Sequence, residues 1–469
     1  MSPDTSGSNA YLTAPVGAII VRTALPIIFV MSMNGLLTVT DAVMLGIYVG
    51  PDAVGAVTAV FPLFMLLVAL TVLVSGGMAS LLARHLGAGN INVARSVLAT
   101  AHRLALAIAV ALIVLFLCFG EATVLTLTNG PGTLGGMAFA YISIVVLSCP
   151  LQFVLAVNAD ALRCEGRAGL MALTSLFVSV ANLGFNYALI VWMGLGVAGS
   201  AYGTVLAQAL ALVLLFLFRT FGKTALDSSS LIRARLTGSR RIVALGAPQS
   251  LGFVGLAIVS AAIIAALQAV AENRYDVVVA AYGIITRVMT FAFLPLLGLS
   301  QAMQAIVGNN VGAGLLPRSN RALLVVMAAA LVYCLAVEAV LVAFAGSIGP
   351  LFVGDGPVAA EVARILPVLV TMYFVSGPLL IVGSYFQALG DAARAAILSL
   401  AKPYLFTVPL VVIFAASYGE QGIWYATPVA EAMLLVLTLI VLALTARRRN
   451  LGWGLFLAPR LGPAPSTSG

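Results

Sequence analysis

The run MNGLLTVTDAVMLG holds one ionisable side chain, Asp41, inside a long apolar stretch. A charge at membrane depth is costly, so an acid placed there is a functional candidate by default. Asn182 and Asn186 are four residues apart, which puts both amides on one face of a helix. Thr204 and Gln208 lie on the apolar stretch that follows. Asp41, Asn186 and Thr204 each fall about six to nine residues from the outer end of their stretch, or roughly 9–14 Å deep at 1.5 Å per residue. Amides and hydroxyls at one depth hold a carboxyl in either protonation state. An acid desolvated among neutral donors is harder to ionise, which suits a proton carrier. Two plainer readings remain open here: a helix-end carboxylate that reaches water, and ordinary interhelical hydrogen bonding by the Asn and Thr side chains.

Other side chains carry weaker signals. Arg287 and Glu431 lie at similar depth with opposite charge and are expected to form a structural ion pair. Glu338 has no evident partner and reads as a residue reaching the outer interface. His85 and His102 fall at the inner boundary and read as interfacial. Proline within a span frees a carbonyl and bends the helix, and Pro26 lies 15 residues before Asp41. A hinge there would convert protonation of Asp41 into a new shape for the helix, whereas a static kink would not. Met31, Met33, Phe61, Phe64, Met65, Gln208, Met289, Phe291, Tyr373 and Tyr385 are the candidate cavity lining. Methionine and aromatic surfaces suit varied lipophilic cations. Taken alone, such a stripe reads equally as packing. The four cysteines (Cys118, Cys149, Cys164, Cys334) have no metal-ligand spacing and read as small core hydrophobes.

These residues must be positioned by membrane-spanning helices. Of 469 residues, 62% are hydrophobic and only 8% charged, against about 25% charged in a soluble domain. Apolar stretches near 15–49, 53–83, 96–119, 133–158, 168–192, 196–219, 241–271, 277–308, 320–345, 359–388, 395–416 and 421–446 are each long enough to span a bilayer. The fold class expected is an all-α polytopic membrane protein with twelve transmembrane helices. Basic residues crowd alternate connectors, from Arg84 and Arg95 through Arg163, Arg233, Arg241 and Arg318 to Lys402 and Arg447. The opposite connectors hold only Arg274 and Arg364 among basic residues, with several acids. This asymmetry places both termini in the cytoplasm. It also accounts for the net charge of +8, since positive charge spread over every inner loop does not suggest nucleic acid.

The chain reads as two similar halves. Residues 1–222 form an N-terminal six-helix bundle, 223–240 a cytoplasmic linker, and 241–469 a C-terminal bundle with a short basic tail. Gly-Ala-Gly at 87–89 recurs at 312–314, and GSAYGTVLAQA (199–209) resembles GIWYATPVAEA (422–432). Similar offsets at separate places indicate a duplicated unit, parallel because six spans return the chain to its starting side, with a central cavity between the halves. The offset maps Asp41 onto Ala266, so the acid has no counterpart in the second half.

Several segments together resemble the multidrug and toxic compound extrusion (MATE) transporters of prokaryotes over nearly the whole chain. They are LP followed by VTDAVMLG, then SGGMASLLARHLGAGN, NLGFNYALIVWMGLGVAGSAYGTVLAQ, AYGIITRVMTFAFLPLLGLSQAMQAIVGNNVGAG and QALGDAARA. The run ITRVMTFAFLPLLGLSQ is similar to the DinF-like branch, whereas Asn186-Tyr187 is similar to the NorM-like one. The resemblance implies a V-shaped pair of bundles that exports lipophilic, often cationic compounds in exchange for H⁺ or Na⁺. It implies that Asp41 is the coupling acid, Asn182 and Thr204 its partners, and Pro26 the bending residue. A second acid of some members is Asn186 here. The acids of Na⁺-coupled members fall near Leu256 and Gly377, whose side chains bind no cation, so H⁺ is the expected coupling ion.

The function expected is therefore secondary active multidrug export by proton antiport in the cytoplasmic membrane. The partners are small molecules and lipids, with no cofactor or metal, and the protein acts as a monomer. A Na⁺-coupled exporter and a lipid-linked precursor flippase are the alternatives; the flippase would be expected to need a cationic cavity. No nucleophile–base pair, metal cluster or phosphate loop points to an enzyme, and no pore ring or filter loop points to a channel.

Overall fold

The computed structural model describes residues 9–128, 130, 132–221, 226, 238–271, 274–449 and 452–456. Most of the expected linker 223–240 and the end of the basic tail lie outside these residues. The spans before the linker are α1 (Val16–Tyr48), α2 (Phe61–Gly87), α3 (Ile91–Leu127), α4 (Thr133–Leu147 with Cys149–Cys164), α5 (Ala168–Trp192) and α6 (Gly196–Phe221). After it come α7 (Ser239–Val270), α8 (Tyr275–Gly312), α9 (Leu316–Ala343) and α10 (Pro357–Val370 with Tyr373–Leu389).

The remaining helical run, Ala392–Arg447, is 56 residues long. A straight helix of that length would extend about 84 Å, far beyond a hydrocarbon core of about 30 Å. Gly419 breaks it, with φ 63° and ψ −148°. Lys402 and Glu431 form an ion pair, although 29 residues of straight helix would hold them about 43 Å apart. The chain therefore turns back at Gly419, giving α11 (392–418) and α12 (420–449). The described residues thus form a multi-pass membrane protein of twelve spans in two six-helix bundles.

Several spans are less regular than their composition suggests. α4 bends by 49° at Ser148, and α10 bends by 48° after Val370. In α10 the break places Met372 in the left-handed region at φ 74°. Glu338 Oε2 accepts the backbone N–H of Phe374 there at 2.8 Å. Glu338 is thus a cap on a broken helix, which corrects its expected role as an unpartnered interfacial side chain. α5 ends in a π-helical segment, Ala188–Trp192, and α11 contains another, Ala401–Thr407. Pro403 lies within the second and has no N–H to continue the α-helical ladder.

The duplicated Gly-Ala-Gly motifs are duplicated helix ends. Gly89 (φ 71°) closes α2 and Gly314 (φ 73°) closes α8. Both supply the left-handed residue that terminates a helix without steric cost. Asn90 N–H reaches His85 O at 2.9 Å, and Leu315 N–H reaches Asn310 O at 2.8 Å. The two ends lie against each other: the backbone of Asn309 fills the space of a side chain at Gly87, and that of Arg84 does so at Gly312.

The bundles join at this end. α2 crosses α7 with Gly77 against the Ile242 carbonyl and Gly246 against the Leu73 carbonyl, leaving no room for a Cβ at either. Small residues permit such backbone approach where lipid provides no hydrophobic drive between helices. Ser80 donates to Gln387 O, Arg84 Nη1 to Leu389 O at 3.1 Å, and Asn309 Nδ2 to Cys164 O at 3.2 Å. Nearby, past the end of α4, Glu165 pairs with Arg219 at 3.1 Å. Burial holds the Glu165 carboxyl above its usual range, against the pull of that guanidinium.

Toward the other end the contacts thin out. Gly298 of α8 still lies against Ile28 of α1, and Gly35 of α1 against Leu294 and Phe291 of α8. Beyond that level Leu36, Val39, Val43 and Ile47 of α1 are exposed. The polar side chains Ser32, Asn34 and Thr38, also in the middle of α1, are exposed as well. Two bundles joined at one end and parted at the other make the V. At the far end of the C-terminal bundle Arg274 and Arg364 both pair with Glu361 and Glu420. Residues expected in separate outer connectors thus meet on one surface.

Candidate functional site

The N-terminal bundle brings Asp41, Asn182, Asn186 and Thr204 into one hydrogen-bonded chain across α1, α5 and α6. Asn186 Nδ2 donates to Asp41 Oδ1 at 2.7 Å and to Asn182 Oδ1 at 3.4 Å. Asn182 Nδ2 donates to Thr204 Oγ1 at 3.3 Å, and that hydroxyl donates to Ser200 O at 3.2 Å. The four-residue spacing on α5 stacks the two amides on one face, so each hands a hydrogen bond to the next. Asn186 is fully buried, Asn182 nearly so, and Asp41 half-buried. Among the described residues no Lys, Arg or His forms an ion pair with Asp41.

Two further residues complete this site and carried no sequence signal strong enough to find them. Tyr141 of α4 lies within electrostatic reach of Asp41. Gly203 of α6 lies directly against the Asn186 amide oxygen and leaves no space for a Cβ. That oxygen is buried and accepts no hydrogen bond. The site therefore holds one donor already engaged with the carboxyl and one free acceptor on the same amide. A neutral acid needs an acceptor for its O–H, and an ionised one needs donors. Asn186 has both, its donor turned to Asp41 and its acceptor turned to Gly203.

The C-terminal bundle differs from expectation. Arg287 and Glu431 are not a pair. Glu431, 3% exposed, pairs with Lys402 of α11 and accepts from Ser376 of α10. Lys402, expected in an inner connector, lies 10 residues into α11 from Ala392, about 15 Å along the helix. That depth gives it a carboxylate partner in place of a water-filled loop. Arg287 is exposed on α8 and makes no ion pair among the described residues.

The candidate cavity lining divides. Tyr385 and Tyr373 are buried in the C-terminal bundle, donating to Leu455 O at 3.0 Å and Ala292 O at 3.2 Å. They are core residues, which corrects their assignment to a cavity. Met31 and Met289 are partly buried and pack against the main core, and Phe64 packs against that of the N-terminal bundle. Phe61 and Phe291 are exposed, and Met33, Met65 and Gln208 partly so. Pro26 lies inside α1, which runs on unbroken from Val16 to Tyr48. The positions near which Na⁺ ligands would fall offer none: Leu256 is exposed, and Gly377 packs tightly against Cys334 Sγ and Ala330 O. His102 contacts Asn158 Nδ2 at 2.9 Å.

The MatE family model matches residues 26–188 and 257–413. The chain is 24% identical to the probable multidrug resistance protein YoeA of Bacillus subtilis over 404 residues, covering 84% of this chain and 86% of that protein. It is also 24% identical to the FAD transporter of Shewanella oneidensis over 436 residues, covering 91% and 94%. Among solved structures, an outward-facing multidrug resistance transporter superposes with a TM-score of 0.82 at 21% identity, covering 93% of this chain and 97% of that one.

Proposed function

The chain belongs to the MatE family of multidrug efflux transporters, and from that premise we propose that it exports lipophilic small molecules, cations included, across the cytoplasmic membrane in exchange for protons. The observation that carries the reading is the setting of Asp41. It is a half-buried carboxyl whose partner is a neutral amide, with no cationic counter-ion among the described residues. A carboxyl so placed changes charge by taking up a proton instead of exchanging one salt bridge for another.

The charge asymmetry of the connectors makes the joined end cytoplasmic and the parted end external. In this arrangement the cleft faces outward and Asp41 takes its proton from outside. The Asn186 amide donates to the carboxylate as it stands; on protonation it must turn its unpaired oxygen from Gly203 toward the acid's O–H. Rearrangement of this chain passes to α1, where Pro26 has already removed a backbone hydrogen bond. The cleft then closes outside and opens inside, and the proton leaves to the cytoplasm. Return of one charge down the membrane potential yields about 2.3 kcal/mol per 100 mV. Proton and substrate must weaken each other's binding by the same factor.

Leu256 and Gly377 leave Na⁺ no ligands at the positions implied for it, which favours protons. The flippase alternative would be expected to need a strongly cationic cavity; Lys402 pairs with Glu431, which leaves Arg287 as the deep cation without an ion pair among the described residues. Efflux of a fluorescent cation from proteoliposomes, with a pH gradient or a Na⁺ gradient imposed separately, tests the proposal. Efflux driven by Na⁺ alone would reject it.

A further inference from the structure

Arg287 occupies a position the export mechanism does not use. Phe291, Leu294 and Gly298 of α8 face α1. Spacings of four, seven and eleven residues return to one helix face at 3.6 residues per turn, so Arg287 continues that face by one turn. It sits one turn past the contact of Phe291 with Gly35, toward the parted end. Twelve residues separate it from Tyr275, about 18 Å of helix, so it stands inside the span and not in a connector. An unpaired guanidinium at that depth faces a wet cavity and not acyl chains. The cleft is the wet space adjoining this face.

The same contact fixes its depth relative to Asp41. Asp41 lies six residues beyond Gly35, about 9 Å, and Arg287 four residues before Phe291, about 6 Å, on an antiparallel helix. The two charges thus stand at nearly one level on different bundles, Asp41 turned toward α5 and Arg287 on the face of α8 that adjoins α1. Phe291, 46% exposed, lies one turn from Arg287, and the exposed Thr290 hydroxyl lies beside it. A guanidinium that forks toward an oxyanion next to an open aromatic face fits an aromatic acid.

We propose that Arg287 and Phe291 form a substrate subsite for the anionic group of amphipathic aromatic molecules, on the bundle that does not hold Asp41. This rests on the export reading and extends its substrate class to aromatic carboxylates and zwitterions. The matched probes are fluorescein, an anionic xanthene, and rhodamine 6G, a cationic one. Equilibrium binding of each to the purified full-length protein needs no gradient, so its outcome is separate from that of proton coupling. The wild type binds fluorescein. R287Q weakens fluorescein more than tenfold while rhodamine 6G binds several-fold tighter, because a repelling charge has gone. R287K, which keeps the charge but not the fork, falls between. Fluorescein binding that is absent in the wild type, or equal in wild type and R287Q, overturns the subsite. If R287Q binds neither dye, R287K decides: unchanged fluorescein affinity in that variant overturns the forked contact, and a loss of several-fold supports it.

Discussion

The amide oxygen of Asn186 rests against the Cα of Gly203, with the space of a side chain already filled. Its amide nitrogen is thereby aimed at Asp41 from the opposite side, 2.7 Å away. A methyl group at residue 203 must push the amide off this line. Gly203→Ala is expected to insert and fold but to lose most proton-driven efflux. Asn186→Ala should do the same, since a hydrogen bond to a charged group contributes about 1.5–3 kcal/mol. Efflux from vesicles containing equal amounts of protein checks both, and wild-type rates in either would remove Asn186 from the account.

The crossing of α2 and α7 sets the joined end. Gly77→Ala puts a methyl group into the Ile242 carbonyl, and nothing flexible is there to move aside. The expected result is a population shifted away from the outward-open arrangement. Spin labels on the joined ends of α2 and α7 should report longer distances in the variant. Unchanged distances would mean that this contact does not hold the bundles together.

Lys402 and Glu431 form a membrane-depth ion pair with one end buried. Removing one partner of a buried pair costs about 3–5 kcal/mol, and partial exposure reduces that. Lys402→Ala is expected near the lower end of that range, read as a fall in thermal stability in detergent. The double variant Lys402→Met/Glu431→Leu should recover most of the loss, because no charge is left unpaired. If the double variant is no more stable than the single one, the pair does more than hold α10, α11 and α12 together.

The N-terminal site was legible in the sequence because its members are polar, share one depth and include a helical four-residue spacing. Depth counting misplaces Lys402, because a lysine near the start of an apolar stretch reads as the end of a loop, although this one stands well inside α11. With Lys402 in a loop, Glu431 has no cation at its own depth except Arg287, whereas its partner is Lys402. Gly203 and Tyr141 gave no warning, since neither a small nor an aromatic residue is unusual in a span. Tyr373 and Tyr385 show the reverse ambiguity: an aromatic stripe fits a cavity or a core equally, and only burial separates them. The bends at Ser148 and Met372 were hidden because both halves of each bent span are apolar.

The central claim is that the charge state of Asp41 couples proton entry to export. Its most direct test is efflux of a fluorescent cation from proteoliposomes under an imposed pH gradient, comparing wild type with Asp41→Asn. The account predicts that the variant inserts normally and still binds the dye, yet its efflux no longer responds to the gradient. Gradient-driven efflux at the wild-type rate from Asp41→Asn would contradict it.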